Sequence, residues 1–316
     1  MNIKIRSLKV ESFNPITELT KVVIVGDHNQ LPPVMPISPP KDLEVVLGSL
    51  FSYYVEGHKI PSNQLQINYR SHKDIVDFTS SLGFYHDLKA HSDNAGEVLG
   101  GNIENIDQKD RWIKAVLSKE KVVCSLEHDR KFDIGVSQLE AYLVARIIKG
   151  FYQMINPQDA KEEIQFWTNK VGVVAPHNAQ GRTIIQKAFQ IIEPVSKLEK
   201  NVLMSYLKNT VYSVEKFQGS DRDLIITSIG LSDVDKIDQE AEFIFDVLRF
   251  NVLTSRAKHK LIFISSKDFL NYVPMEKKVI ENVAKFNFLV NKFCNKEIII
   301  KFNGKEDTFL KFRYKQ

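Results

Sequence analysis

The residues in this chain best placed to do chemistry are polar side chains at the ends of apolar, β-branched runs. Residues 22–34 read VVIVGDHNQLPPV: an apolar run that breaks at Gly26-Asp27, a polar His28-Asn29-Gln30, then a rigid Pro32-Pro33. That arrangement presents side chains to a ligand. His177, Asn178 and Gln180 follow the run KVGVVAP (170–176) in the same way. Other polar groups stand ahead of apolar runs. YSVEKFQGSDRD (212–223) leads into DLIITSIG, and RFNVLTSRAKHK (249–260) sets Arg256 just before KLIFISS. LQINYRSH (65–72) alternates apolar and polar residues and ends in Tyr69-Arg70. Ser71 follows as a candidate helix N-cap. No cluster of acids with Lys or His at metal-binding spacing is present, which argues against a metal-dependent nuclease.

The elements that must position these groups are legible from periodicity. KVVIVG (21–26), KVGVVAP (170–176), DLIITSIG (223–230) and KLIFISS (260–266) read as buried strands of a parallel sheet, with EKVVCSL (120–126) as a fifth. KDLEVVLGSLFSYYV, SHKDIVDFTSSLGFY, SQLEAYLVARIIKGFYQMI and NAQGRTIIQKAFQII have helical periodicity. Ser137 and Glu140 stand at capping-box spacing before the third. Alternating strands and helices predict an α/β fold with helices on both faces of the sheet. Ligands of such folds gather at the carboxyl ends of the strands. Residues 91–112 read as a surface insertion. Beyond 270, MEKKVIENVAKFNFLVNKF predicts a helix and KEIIIKFN a strand.

Composition narrows the class. A chain of 316 residues, 43% hydrophobic and 26% charged, can bury a large core without disulfides or metals. Its two cysteines, Cys124 and Cys294, form no paired motif, so a reducing intracellular, cytoplasmic compartment is expected. No apolar run approaches the roughly 20 residues that span a bilayer, so no membrane partner is expected. The opening MNIKIRSLKVESF has no secretory h-region. Residues 256–316 carry 14 Lys and Arg against 6 Asp and Glu, although the whole chain is only +4. Such a segment either attracts an anionic polymer or forms an ordinary solvated surface.

Singly, each of these pieces is weak; their order is specific. GDHNQLPPV, QINYRSH, VGVVAPHNAQ, VEKFQGSDRDLIITS and RFNVLTSRAK resemble the successive motifs of superfamily-1 helicases, over residues 20–266. The closest branch holds the nonsense-mediated-decay RNA helicase and the replication nuclease-helicase. The resemblance implies RecA-like domains: a P-loop NTPase-type parallel sheet flanked by helices, with ATP in the cleft between two of them. It implies that Gln30 reads the γ-phosphate and orients water, a role suited to an amide that donates and accepts. Asp27 would be a hydrogen-bonding or metal-shell residue. Arg70 and Arg256 match the arginines aimed at the γ-phosphate; the alternative for Arg70 is a pair with a nearby acid such as Asp74. Tyr69 resembles the aromatic that stacks on the nucleotide base, or else is a partly buried core tyrosine. Gln218, Gly219 and Asp221 match the family's FQG-x-E stretch, with Asp in place of the usual Glu. Asp223 is expected to hold that loop together. Pro176, His177, Asn178, Gln180 and Ser213 would face single-stranded DNA or RNA, or else be ordinary loop and cap residues.

Two parts of such an engine are absent from these residues. No GxxxxGK followed by Ser or Thr occurs, and no apolar strand ends in Asp-Glu to hold magnesium; the only Gly-Lys pair is Gly304-Lys305. In the resembling enzymes both lie upstream of the GDxxQLPP strand, which only residues 1–21 precede here. The expectation is therefore a C-terminal motor region. Residues 1–60 would be the last piece of the first RecA-like domain, 61–270 the second domain, and 271–316 a basic extension. The chain would be a truncated gene product or one half of a split enzyme, and ATP and Mg2+ would be used only with a complementary P-loop half. The alternative is a non-catalytic nucleic-acid- or partner-binding protein derived from a helicase.

Overall fold

The structure is a computed structural model. It describes residues 24–27, 29–31, 53–214, 220–302 and 306–313, with residues 40, 43, 49 and 51 between the first stretches. The chain divides into two units, Met1–Gln64 and Leu65–Gln316. In the second unit the elements used below are, in order, β1 (Ile67–Asn68), α1 (Lys73–Ser81), β2 (Lys89–Ala90), α2 (Arg111–Leu117), β3 (Val123–His128), α3 (Gln138–Ile155), β4 (Val171–Val174), α4 (Asn178–Ile192), α5 (Lys200–Lys208), β5 (Val211–Tyr212), β6 (Arg222–Ser228), α6 (Val234–Gln239), α7 (Ala241–Ile244), α8 (Val247–Thr254), β7 (Ala257–Ser266), α9 (Lys277–Phe288), β8 (Lys296–Phe302) and β9 (Glu306–Phe312).

Seven strands form one sheet in the order β5-β4-β6-β7-β3-β9-β8. The first five in that order are parallel; β9 runs antiparallel to β3, and β8 antiparallel to β9. This is the α/β, RecA-like class of sheet. Period-two alternation divides its core in two. Leu224, Ile226, Ile262 and Ile264 point to a cluster with Ala141, Val144 and Ile148 of α3, Ile184 and Ala188 of α4, and Leu203 and Leu207 of α5. Phe263, between Ile262 and Ile264, points to the other face. There it meets an aromatic group from α8 and α9: Phe250 stacks on Phe286 at 3.9 Å, and Phe263 approaches both at 6.2 and 6.1 Å. Burial on both faces explains why these strands read as continuous apolar runs.

Several boundaries differ from the sequence reading. The EKVVCSL run contributes to β3, which starts three residues later and ends two later than read, and lies inside the sheet between β7 and β9. Residues 91–112 are not simply a surface insertion: Leu99 and Ile106 are buried, and the Asn102 N–H donates to the Met154 carbonyl at 2.8 Å. The tail beyond 270 is not set apart, because the β8–β9 hairpin continues the same sheet. Of KVVIVG, residues 21–23 lie outside the described residues and 24–26 are in no strand. No helix among the described residues is long and apolar enough to cross a membrane.

Close packing also accounts for a glycine in the middle of α3. A Cβ on Gly150 would lie 2.2 Å from the Ile113 side chain on α2, so the helix accepts glycine's entropy cost to let α2 approach. Phe263 is fully buried. Phe263→Ala is expected to cost about 3–5 kcal/mol, read as a lowered urea midpoint with unchanged slope.

Candidate functional site

The residues picked from sequence occupy opposite ends of the parallel strands. Arg70, Asp221 and Arg256 gather at the amino ends of β6 and β7. Pro176, His177, Asn178 and Ser213 follow β4 and β5 at their carboxyl ends. Because β6 is seven residues long, the two ends are roughly 20 Å apart. The expectation that ligand chemistry gathers at carboxyl ends is therefore corrected for the arginines. Gln218 and Gly219, within 215–219, lie outside the described residues.

At the amino end, the 70–72 segment lies against the start of β7. Asn68 shapes the turn, its side-chain oxygen accepting from the N–H of Arg70 at 2.7 Å and of Ser71 at 2.9 Å. Arg70 Nη1 donates to the Ser255 carbonyl at 3.2 Å, the Ser71 hydroxyl to the Ala257 carbonyl at 2.7 Å, and the His72 N–H to the Lys258 carbonyl at 2.7 Å. These bonds bring Arg70 beside Arg256. They also correct the cap: Ser71 is spent on β7, and His72 caps α1, its Nδ1 accepting from the Asp74 N–H at 3.0 Å.

Asp221 orients the cations. It pairs with Lys258 at 2.8 Å and with Arg70 Nε at 3.3 Å, so Arg70 has this acid, not Asp74, as its ion-pair partner. Burial alone would raise the Asp221 pKa; Lys258, followed by Arg70 and Arg222, outweighs it and holds the carboxyl below its ordinary range. Both Asp221 oxygens are thus engaged, one by Lys258 and the other by Arg70. Asp223 pairs with Lys170 at 3.3 Å and lies 3.6 Å from His259. Arg256 is buried, and its carbonyl accepts from the Arg222 N–H at 3.2 Å. Tyr69 is not a core residue: it is 65% exposed and stacks on His91 at 4.4 Å.

Planar cationic donors in excess of carboxylates suit the oxygens of a terminal phosphate. They do not suit magnesium. Among the described residues no group of three or more His, Cys, Asp or Glu could hold a metal. In the first unit, Asp27 accepts from the Asn29 N–H at 3.0 Å and from the Gln30 side-chain amide, which fixes the turn carrying both.

At the carboxyl end, α4 begins directly after Pro176 and His177. His177 Nε2 lies 2.9 Å from Glu240, and Lys236 pairs with Glu240 at 2.7 Å. The His177–Glu240 approach has ion-pair distance but not hydrogen-bond alignment. Burial lowers the His177 pKa; Glu240 opposes this and Lys236 assists it. Asn178 is exposed and Ser213 half-buried.

Gln180 does not belong to an exposed surface. It is fully buried, accepts from the Ser137 N–H at 2.7 Å, and donates to the Ser137 carbonyl at 3.2 Å and the Ser228 hydroxyl at 2.9 Å. Burial thus removes it from the residues that could touch nucleic acid. It completes a network around Glu140, which binds His128 at 3.1 Å, the Ser228 hydroxyl at 2.7 Å and the Gly230 N–H at 3.0 Å. The His128 Nδ1 accepts from the Arg130 N–H at 3.2 Å, so Nε2 carries the proton toward Glu140. The capping box is therefore half-formed. Ser137 caps Glu140 at 3.3 Å, but the return bond goes to Gln180 because Glu140 is committed to the network. Gly230, at φ +76°, is required on two counts, since a Cβ there would also sit 2.9 Å from the Gln180 amide carbon.

Four residues at these ends were not singled out in the sequence: Arg222 and Lys258 at the amino end, Phe243 and Arg249 at the carboxyl end. Lys258 and Arg249 stand inside the RFNVLTSRAK motif, where spacing from Arg256 could have marked them. For Phe243 the sequence carries no signal, since only packing shows it to be exposed.

Gln180→Ala is expected to cost about 1–3 kcal/mol in chemical denaturation, because the Ser137 N–H loses its acceptor in the interior; Asn178→Ala, at an exposed position, is expected to leave stability unchanged. Asp221 has a depressed folded pKa, so its contribution is present above the ordinary carboxylate pKa and is lost as pH falls through the lower folded value. Asp221→Asn is therefore expected to lower Tm at neutral pH, with the gap from wild type closing below about pH 3.9.

A family model described as an AAA domain matches residues 47–268, more than half of the chain. The DNA replication ATP-dependent helicase/nuclease JHS1 of Arabidopsis thaliana is 26% identical over 289 residues, covering 89% of this chain and 20% of that protein. The DNA replication ATP-dependent helicase/nuclease DNA2 of Mus musculus is 29% identical, covering 83% of this chain and 24% of its own length. An uncharacterized ATP-dependent helicase of Methanocaldococcus jannaschii is 25% identical over 81% of this chain and 34% of its own. The chain thus spans about a fifth to a third of these relatives. With the ordered motifs and the RecA-like sheet, these matches lead to one assignment: the chain belongs to the AAA domain family, within the superfamily-1 branch that includes the replication helicase/nucleases.

Proposed function

We propose that residues 61–270 act as the second RecA-like domain of an ATP-dependent nucleic-acid helicase, with 1–60 contributing the end of the first and 271–316 a basic extension of the second. The observation that carries this reading is the convergence of Arg70 and Arg256 at the amino end of β7, with Arg70 held by Asp221 and by the Ser255 carbonyl. In this reading the two guanidinium groups bind the γ-phosphate of an ATP seated on a P-loop domain, and Gln30 orients the attacking water. ATP supplies the phosphoryl group; the arginines stabilise the charge that develops as it leaves. An arginine in this role is worth about 10³–10⁵ in rate, roughly 4–7 kcal/mol of barrier. Pro176, His177, Asn178 and Ser213 line the path of single-stranded DNA or RNA, and the basic C-terminal segment adds phosphate contacts with salt-dependent affinity. The relatives' names, ATP-dependent helicases and helicase/nucleases, support the same reading.

These 316 residues contain no P-loop lysine or magnesium-binding Asp-Glu strand. The purified chain is therefore expected to hydrolyse ATP at background rate. Mixed with the P-loop half of a relative, it is expected to give DNA- or RNA-stimulated turnover that Arg256→Ala lowers by about 10³ or more. Turnover by the chain alone, lost on Arg256→Ala, would sink the requirement for a second half. Tight single-strand binding without stimulated turnover would favour the non-catalytic reading instead.

A further inference from the structure

The carboxyl-end groove has a wall contributed by α7 and α8. Phe243 is 40% exposed, and the Arg249 guanidinium lies over its ring at 4.2 Å from the centroid. The His177 ring is 6.1 Å from Phe243, with planes at 37°. Pro176 and Val214, flanking His177 and Ser213, line the same groove. The backbone holds this wall in place. Asp246 caps α8, accepting from the N–H groups of Leu248 at 2.8 Å and Arg249 at 3.0 Å. Phe245 is fully buried against Phe269 at 4.6 Å and Tyr272 at 5.7 Å. With Phe245 anchored inward, Phe243 stays at the surface.

The groove encloses only about 20 Å³, too little for an inserted side chain, so an occupant must lie across its rim. An aromatic ring, a planar cation and an imidazole at one rim are the components on which a nucleobase stacks. A guanidinium lying over an aromatic ring extends the surface on which a base can stack. Glu240, the acid beside His177, is paired with Lys236. We infer that Phe243 and Arg249 form a stacking platform for a base of single-stranded nucleic acid passing Pro176, His177 and Ser213. The inference rests on the nucleic-acid reading above and adds to it two residues and a mode of contact.

The test compares a fluorescent oligothymidylate with an abasic oligonucleotide of equal length and charge, by anisotropy, on the full chain. Stacking predicts that Phe243→Ala and Arg249→Lys each weaken oligothymidylate binding about fivefold or more and leave abasic binding unchanged. Phe243→Trp is expected to retain tight binding, and thermal melts confirm that each variant is folded. Equal losses on both oligonucleotides, or no loss on either, would overturn the platform while leaving the nucleic-acid reading in place. Failure of the unaltered chain to bind either oligonucleotide would overturn both.

Discussion

A parallel sheet buried on both faces leaves only its two ends for chemistry, and this molecule builds on both. Leu224, Ile226, Ile262 and Ile264 are committed to one core, and Phe263 to the other. No strand between β4 and β3 has a free face for a ligand. The cations sit where β6 and β7 begin; the loops and exposed rings sit where β4 and β5 finish.

The amino end depends on neutralising a crowd of like charges without losing their direction. Arg70, Arg222, Arg256 and Lys258 arrive together because backbone bonds from residues 70–72 pin the segment to β7. Asp221 offsets their repulsion, and the depressed pKa of its carboxyl is the counterpart of that stabilisation.

The carboxyl end depends on a buried polar network in which each named member has partners. Glu140 is in the interior and would be costly there alone, but His128, Ser228 and Gly230 supply its donors. Gln180 joins the start of α4 to the start of α3 and to the end of β6. Fixed in this way, the turn before α4 holds Pro176 and His177 at the rim while Gln180 itself faces inward. A single residue, Ala179, separates an exposed Asn178 from a fully buried Gln180, as expected on a helix with one face against the core.

Linear order was enough to identify the family, because five short motifs recur in sequence whatever the packing. Periodicity was enough for β4, β6 and β7 and for the helices α1, α3 and α4, because local geometry sets the period. It did not show that the tail after 270 joins the same sheet, because pairing of β9 with β3 is a contact between distant segments. Nor did it show which polar residue of a motif faces outward. Gln180 and Asn178 are equally polar on paper, and Ser71 and Ser137 equally good caps. What separates them is competition for partners in three dimensions: a carbonyl of β7 takes Ser71, Gln180 takes the Ser137 N–H, and Glu140 is drawn to His128. The residue types and their order therefore named the chemistry, while the tertiary contacts assigned each residue its partner, because hydrogen bonds and ion pairs form with whichever group the fold brings within reach.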